Sequence, residues 1–471
     1  MDALQSFLSL QHVDSPSHRS SSNVHHIIDA NNTLCMAMFE RDDFESAEQY
    51  LRAAEAAYLE FSSSTSSSSP STGDIESAYT MTCLFFAQVY GKLEQTAQSA
   101  IYCESTLMRK YDSGIFDPLE IAQFCLQIAS YYQSECRWRQ SLYIIAAAYT
   151  ISKSVQDSQL YGEISLFMGK LFSEYLESQR DRQSYMPDLS EEVVKFKGLE
   201  LDREFEASQL GAVELTTLAA ASQVDAWISQ GCTWFTRALN HFVLDGFTTE
   251  HVTICLERDH MLSMAIECFS DRKLKKSYLQ RRASHLEPLV KTLSPNHFFS
   301  LVQQLLFTLG EIYEHMADLT TLPLTDGLPT SITISAASSQ SNSPQALPIA
   351  SAAPLDEAKA TRVNKRVGLA VRFYQQFLDT LMPNGQLPTH LEEGVVESFF
   401  RTHLSLAKLH QRFRSSNKHL LIAMARKSAS YYKLIDTLAR AYKPHILKSE
   451  LELCPELHRL LTLKADSLEK S

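Results

Sequence analysis

The sequence predicts an all-α protein, a right-handed solenoid of extended helical hairpins with two disordered loops, and three observations carry that reading. Apolar residues recur at three- and four-residue steps over long stretches, the spacing that lines one face of a helix. The 471 residues include only 14 Gly and 15 Pro, so turns are few and elements long. Finally, one spacing returns: Ala87 and Tyr90 are followed by Ser99 and Cys103, then Ala129 and Tyr132 by Ser141 and Ile145, with Ala148 completing the packing.

A small residue with an aromatic three later, followed by a small residue with an apolar one four later, is the signature of a tetratricopeptide-like helical repeat. From Ser99 to Ser141 the distance is 42 by subtraction, against about 34 in the standard repeat. The helices or their loops must therefore be extended.

Residues 1–23 are predicted to be a flexible N-terminus, and helical periodicity begins at Val24. The first hairpin shows it in Leu34, Met38, Phe44, Ala47, Leu51, Ala54 and Tyr58, with a degenerate repeat centred on Cys35, Met38, Ala47 and Leu51. The Ser-rich stretch 62–73 offers no apolar side chains for burial and reads as a disordered loop. The N-terminal repeats extend over 24–200, with a fourth unit starting at Gly169 and Phe172. Within them the charged run Glu177–Lys197, broken at Met186-Pro187-Asp188, reads as a long surface connection.

Residues 201–245 read as long linking helices, with Leu210, Val213, Leu218, Val224, Trp227, Trp234 and Leu239 along one stripe. The C-terminal repeats fill 246–468. Helices are expected near 249–269, 271–290 and 295–318. Gly310 and Tyr313 repeat the first-helix signature, and their partners Ala370 and Tyr374 follow only after 322–356, a loop carrying Pro323, Pro329, Pro344, Pro348 and Pro354. Ala407 and His410 precede Ser428 and Tyr432 in the last unit, and a final helix is expected over 446–468.

Composition bounds the function. With 44% hydrophobic and 21% charged residues the chain has ample material for a core. A net charge of −12 disfavours nucleic acid and anionic lipid, which need a dense basic surface, and favours a basic partner. Nine cysteines without a C-x-x-C pair read as reduced thiols, and the N-terminus lacks the pattern of a signal peptide. A cytoplasmic protein without membrane insertion is expected.

Motifs of catalysis and of phosphate or metal binding are absent from the sequence: no Gly-rich phosphate loop and no H-E-x-x-H occur. Adjacent helical positions such as His25-His26 point in different directions and do not chelate. Cys103, Cys125 and Cys136 are expected in helix cores. Asp259-His260 reads as a helix cap or an inter-helix hydrogen bond, and the basic run Arg272-Lys273, Lys275-Lys276 and Arg281-Arg282 as a solvated helix face. No enzyme, cofactor or metal is expected.

Two ordered blocks carry a family resemblance. Val243-Leu244-Asp245-Gly246, Asp259-His260, Arg281-Arg282, Leu286-Glu287-Pro288 and Leu293-Ser294-Pro295 form the first. Phe373-Tyr374-Gln375-Gln376-Phe377-Leu378-Asp379, Leu391-Glu392-Glu393 and Ser449-Glu450-Leu451-Glu452-Leu453-Cys454 form the second. In this order they resemble the KIF-binding protein family, helical-repeat proteins that grip kinesin motor domains. The resemblance implies a non-catalytic, cytoskeleton-associated adaptor that covers the basic face of the motor and blocks its attachment to microtubules. The alternative is a generic tetratricopeptide scaffold or co-chaperone for peptide segments.

Solenoids of this kind bind partners on the concave surface lined by their first helices. Counted from the Ala129/Tyr132 register, that groove is expected to present Gln123, Ser130, Gln133 and Ser134, and in the preceding unit Thr82, Gln88 and Lys92. Asp29, Asn32 and Glu40 would stand in the first unit, and Glu163, Glu174, Glu311 and Glu314 in later ones.

Overall fold

A computed structural model describes residues 21–64, 72–155, 157–180, 193–202, 218, 221–321, 357–382, 393–442, 444, 445 and 447–470. Sixteen helices and no strand lie among the described residues. By its contacts the chain divides into two compact units, Met1–Met261 and Leu262–Ser471.

The first unit holds α1 (Ser21–Phe39), α2 (Phe44–Ser64), α3 (Thr72–Lys92), α4 (Thr96–Asp112), α5 (Pro118–Ser134), α6 (Trp138–Ser152), α7 (Ser158–Arg180), α8 (Ala221–His241) and the start of α9 (Thr248–Cys268). Neighbours pair as hairpins, α1 with α2 through to α7 with α8, and first helices also touch across repeats, α1 with α3 and α5 with α7. The second unit continues with α10 (Arg272–Thr292), α11 (Phe299–Thr321), α12 (Glu357–Leu381), α13 (Glu393–Gln411), α14 (Lys418–Tyr442), α15 (Lys448–Glu452) and α16 (Cys454–Lys470). There α11 packs between α10 and α12 and also meets α13, while α14 packs between α13 and α16.

The repeated spacing acquires a physical cause. Ser99 Oγ donates to the carbonyl of Ala87 at 2.8 Å, Ser141 to Ala129 at 3.2 Å and Ser428 to Ala407 at 2.7 Å. In each hairpin a small residue on the first helix lets the second approach until its serine reaches the backbone. The aromatic partners Tyr90 and Tyr132 are buried beside these clasps.

Three inter-helix turns share one geometry. Asp42, Glu94 and Cys136 each take φ 58°, the left-handed region. Gln95 N–H returns to Tyr90 O at 2.9 Å, Arg137 N–H to Tyr132 O at 2.8 Å and Asp43 N–H to Met38 O at 3.0 Å. These six-to-one bonds satisfy carbonyls that the helix end leaves open. Cys136 thus sits in a turn and not in the helix core expected for it, whereas Cys125 is fully buried.

Glycines mark the tightest crossings. A Cβ on Gly310 would stand 2.5 Å from the Tyr374 ring, and one on Gly169 2.8 Å from the ring of Phe235. The pairing of Gly310 with Tyr374, which the sequence joins across the long interruption, is therefore a direct α11–α12 contact.

Several local expectations change. Helix α1 starts at Ser21 and α7 runs four residues into the charged run, to Arg180. Residues 193–202 are strapped along α6: Gln140 exchanges two hydrogen bonds with the Val194 backbone at 3.0 and 2.8 Å, and Tyr143 Oη accepts from Phe196 N–H at 2.8 Å. Phe196 is buried against Tyr111 and Tyr143, so this part is no surface connection. The final helix is two, because Pro455 has no N–H to return to Leu451 O and the chain breaks between Glu452 and Cys454. Residues 62–64 end α2 and 72–73 begin α3, while 65–71, 322–356, 203–217 and 1–20 lie outside the described residues.

Candidate partner-binding faces

In the first unit the groove residues fall into two groups. Asp29, Glu40, Gln88, Lys92, Gln123, Ser130 and Ser134 are exposed, on α1, α3 and α5 or just past their ends. Asp29 pairs with His25 at 3.1 Å, and Ser134 Oγ returns to Tyr131 O at 2.8 Å. Glu163 is half-buried and accepts from Gln159 at 3.1 Å.

Asn32, Thr82 and Gln133 do not line any groove. Asn32 Nδ2 donates to Ala78 O at 3.1 Å and its Oδ1 accepts from Thr82 Oγ1 at 2.9 Å. Both side chains are buried and tie α1 to α3. Gln133 is buried beside Tyr132, its Nε2 without a hydrogen-bond partner among the described residues. A polar residue facing a stacked neighbouring helix is closed off by it, which one repeat taken alone does not reveal.

Glu174 has the most distinctive setting. Burial pushes its carboxyl above the usual carboxylate range, Lys170 opposes that, and Glu257 and Glu177 add to it. Glu135 and Glu174 also raise the half-buried Cys136 thiol, after burial itself. Glu174 thus has Glu177 and Glu257 within electrostatic reach, and Cys136 has Glu135 and Glu174. Only Glu174 among these carboxylates was picked out by spacing, because the other three come from a turn, an adjoining turn of helix and a later element.

A second acidic and aromatic lattice lies outside the positions that the repeat spacing marks. Glu55 accepts from Tyr102 at 2.9 Å and Tyr79 at 3.3 Å, and Tyr90 Oη donates to Glu48 at 2.8 Å. Arg109 pairs with Glu76 at 2.7 Å and lies over the rings of Tyr58 and Tyr79 at 4.9 and 4.5 Å. It borders a cleft of about 950 Å³ whose lining includes Asp74, Glu76, Met81, Asp112 and Ile115. Ile115, 90% exposed, leaves an apolar side chain at the edge of a recess of mixed charge, since Arg109 and Lys110 line it as well. The signal available in the sequence was Glu48, Arg52 and Glu55 on successive turns of one helix.

In the second unit Glu311 and Glu314 do come together, in a cleft of about 310 Å³ with Asp318, Tyr374, Arg401, Lys408 and Glu450. Glu311 is exposed. Glu314 accepts from Tyr374 Oη at 2.9 Å and from Arg412 Nη1 at 3.2 Å, and Arg412 also reaches Asp318 at 2.9 Å. Its carboxylate is thereby engaged in holding three helices together. Asp259 is buried in the middle of α9 and His260 beside it is exposed, so this pair is no cap.

Among the described residues no group of three or more His, Cys, Asp or Glu is placed to hold a metal, and no helix is long and apolar enough to cross a membrane. The surfaces above are suited to binding by charge and shape.

Comparison with known proteins gives one answer. The family described as KIF-1 binding protein C terminal matches residues 119–468. A zebrafish (Danio rerio) protein named KIF-binding protein is 24% identical over 522 aligned residues, covering 95% of this chain and 77% of its own length. The human protein of the same name is 23% identical and covers 93% and 76%. One from Dictyostelium discoideum is 20% identical and covers 84% and 72%.

Proposed function

Because the chain belongs to the KIF-binding protein family, we propose that it is a non-catalytic adaptor that binds kinesin motor domains and keeps them off microtubules. The observation that carries this reading is the likeness to proteins named for binding KIF over 95% of the chain. The acidic setting of Glu174, with Glu177 and Glu257 within electrostatic reach, supports it further, since a motor that docks on acidic microtubules does so through a basic face. Complementary charge guides encounter and selects partners.

An adaptor covering that face competes with the microtubule, and its place of action is the cytoplasm. Exposed Gln88, Lys92, Gln123 and Ser130 on neighbouring first helices form the polar rim of the proposed contact. The test is co-sedimentation of motor domains with microtubules in the presence of the purified full chain. Loss of motor from the pellet in proportion to added protein is expected. Unchanged pelleting across a broad motor panel at saturating protein removes the proposal.

A further inference from the structure

The polar rim of Gln88, Lys92, Gln123 and Ser130 lacks the apolar anchor on which protein interfaces concentrate their binding energy. On α3 the exposed Asp74, Ser77, Met81, Gln88 and Lys92 follow one another at three-, four- and seven-residue steps and so share one face. Two of them belong to that rim, while Asp74, Ser77 and Met81 line the cleft of about 950 Å³ that continues it along the helix. The end of α4 and the turn into α5 line the same cleft with Arg109, Lys110, Asp112 and Ile115. On α5 the exposed Glu120, Gln123, Gln127 and Ser130 again share one face, and Glu120 is tied back to Lys110 at 2.6 Å. Both helices that supply the rim therefore lead into this cleft.

Ile115 is almost fully exposed and yet held in place. Gly114 takes φ 68°, Ser113 N–H returns to Arg109 O at 3.0 Å and Gly114 N–H to Tyr111 O at 3.1 Å. Ser113 Oγ donates to Lys110 O at 2.7 Å and accepts from Ile115 N–H at 3.3 Å. On the other side the Phe116 ring stacks on Tyr111 at 5.3 Å, and Asp117 caps α5 by accepting from Leu119 N–H at 3.0 Å. An aliphatic side chain on a fixed turn loses little freedom when a partner covers it. Among the described residues no large apolar side chain is more exposed.

The charges in the cleft differ in what they have left to offer. Arg109 pairs with Glu76 at 2.7 Å and Lys110 with Glu120, so each cation already faces a carboxylate. The Asp112 side chain has no hydrogen bond or ion pair among the described residues. It ends α4, at the negative pole of the helix dipole. The charge left uncompensated beside Ile115 and Met81 is thus negative.

We propose that this cleft is the anchoring subsite of the motor contact. It takes one bulky apolar side chain of the motor's basic face against Ile115 and Met81, and a lysine or arginine next to that side chain against Asp112. The assignment rests on the reading of the partner as a kinesin motor domain. Clefts of about 300–1,000 Å³ enclose a whole drug-sized ligand, so the space holds two neighbouring side chains. An apolar contact with charge at its edge is also how protein interfaces are built.

The test measures the affinity of the purified full chain for motor domains at low and at physiological salt. I115S should weaken binding about tenfold or more, and D112N about fivefold, with a loss that shrinks as salt rises. Both side chains are exposed, and neutralising Asp112 removes an unfavourable contact with the end of α4, so helical spectrum and melting temperature should stay as they are. L463S, the same kind of change at an exposed leucine of α16, should bind motor like the parent. A parent chain that binds no motor of a broad panel removes the adaptor reading and this subsite with it. A parent that binds while I115S or D112N binds equally well, or while L463S loses as much as I115S, overturns the subsite alone.

Discussion

At the scale of single residues, the left-handed turns set a clear sign for substitution. An L-residue at φ 58° costs about 1 kcal/mol, and Glu94 is exposed there with its backbone bonds already made. Glycine adopts this region without the penalty but loses more entropy on folding, about 0.5–1 kcal/mol. Glu94→Gly should therefore be neutral to stabilising, by less than about 1 kcal/mol, in thermal denaturation; a clear loss would show that the carboxylate itself holds the turn. Ser141, fully buried, offers the opposite case. Its replacement by Ala removes the bond to Ala129 O at 3.2 Å and should cost about 1 kcal/mol, while Ser99→Ala, at a half-buried site, should cost less. These serines were legible in the sequence because each clasp repeats. Asn32 and Thr82 were not, since their burial depends on α1 meeting α3.

At the scale of helices, two glycines predict opposite outcomes. Gly310 faces the Tyr374 ring at a distance no Cβ tolerates, and Tyr374 is fixed in turn by Glu314. Gly310→Ala should destabilise by about 1–3 kcal/mol, the usual cost of overpacking. Gly368 lies inside α12, and a methyl group added there would meet nothing within 4 Å, so Gly368→Ala should stabilise by about 0.8–1 kcal/mol through helix propensity alone. Urea denaturation of the two variants measures both, and equal signs would mean that α11 and α12 are not packed as described. Helices α9, α10 and α11 were legible within a few residues, expected near 249–269, 271–290 and 295–318 and found at Thr248–Cys268, Arg272–Thr292 and Phe299–Thr321. The strap at 193–202 was not, because its pairing with α6 rests on Gln140 and Tyr143 reaching backbone groups, which leaves no period to detect. Pro455 did announce the break before α16, but the apolar pattern on either side masked it.

At the scale of the whole molecule, the net charge of −12 becomes meaningful only where carboxylates collect, and Glu174 tests whether the α7 face is the one a motor uses. Gln123 is exposed on α5 and Glu174 half-buried on α7, two first helices in direct contact. Exchanging both for Lys places two cations where a basic partner is proposed to dock. Each should oppose binding by about 1 kcal/mol, so motor affinity should fall by roughly tenfold or more. The loss should shrink as salt rises, because exposed charges are screened beyond about 8 Å. The melting temperature of the variant separates such a loss from unfolding. The Glu174 carboxyl is held above its ordinary range by burial, with Glu257 and Glu177 adding to it, so its ionised form costs native stability once the pH exceeds the raised value, and the cost vanishes as the pH falls below the ordinary one. Glu174→Gln should thus leave the fold as stable or more stable at neutral pH, with the gain fading in acid. A Lys variant that binds motor as well as the parent at low salt, with its helical spectrum intact, would move the docking surface away from α5 and α7.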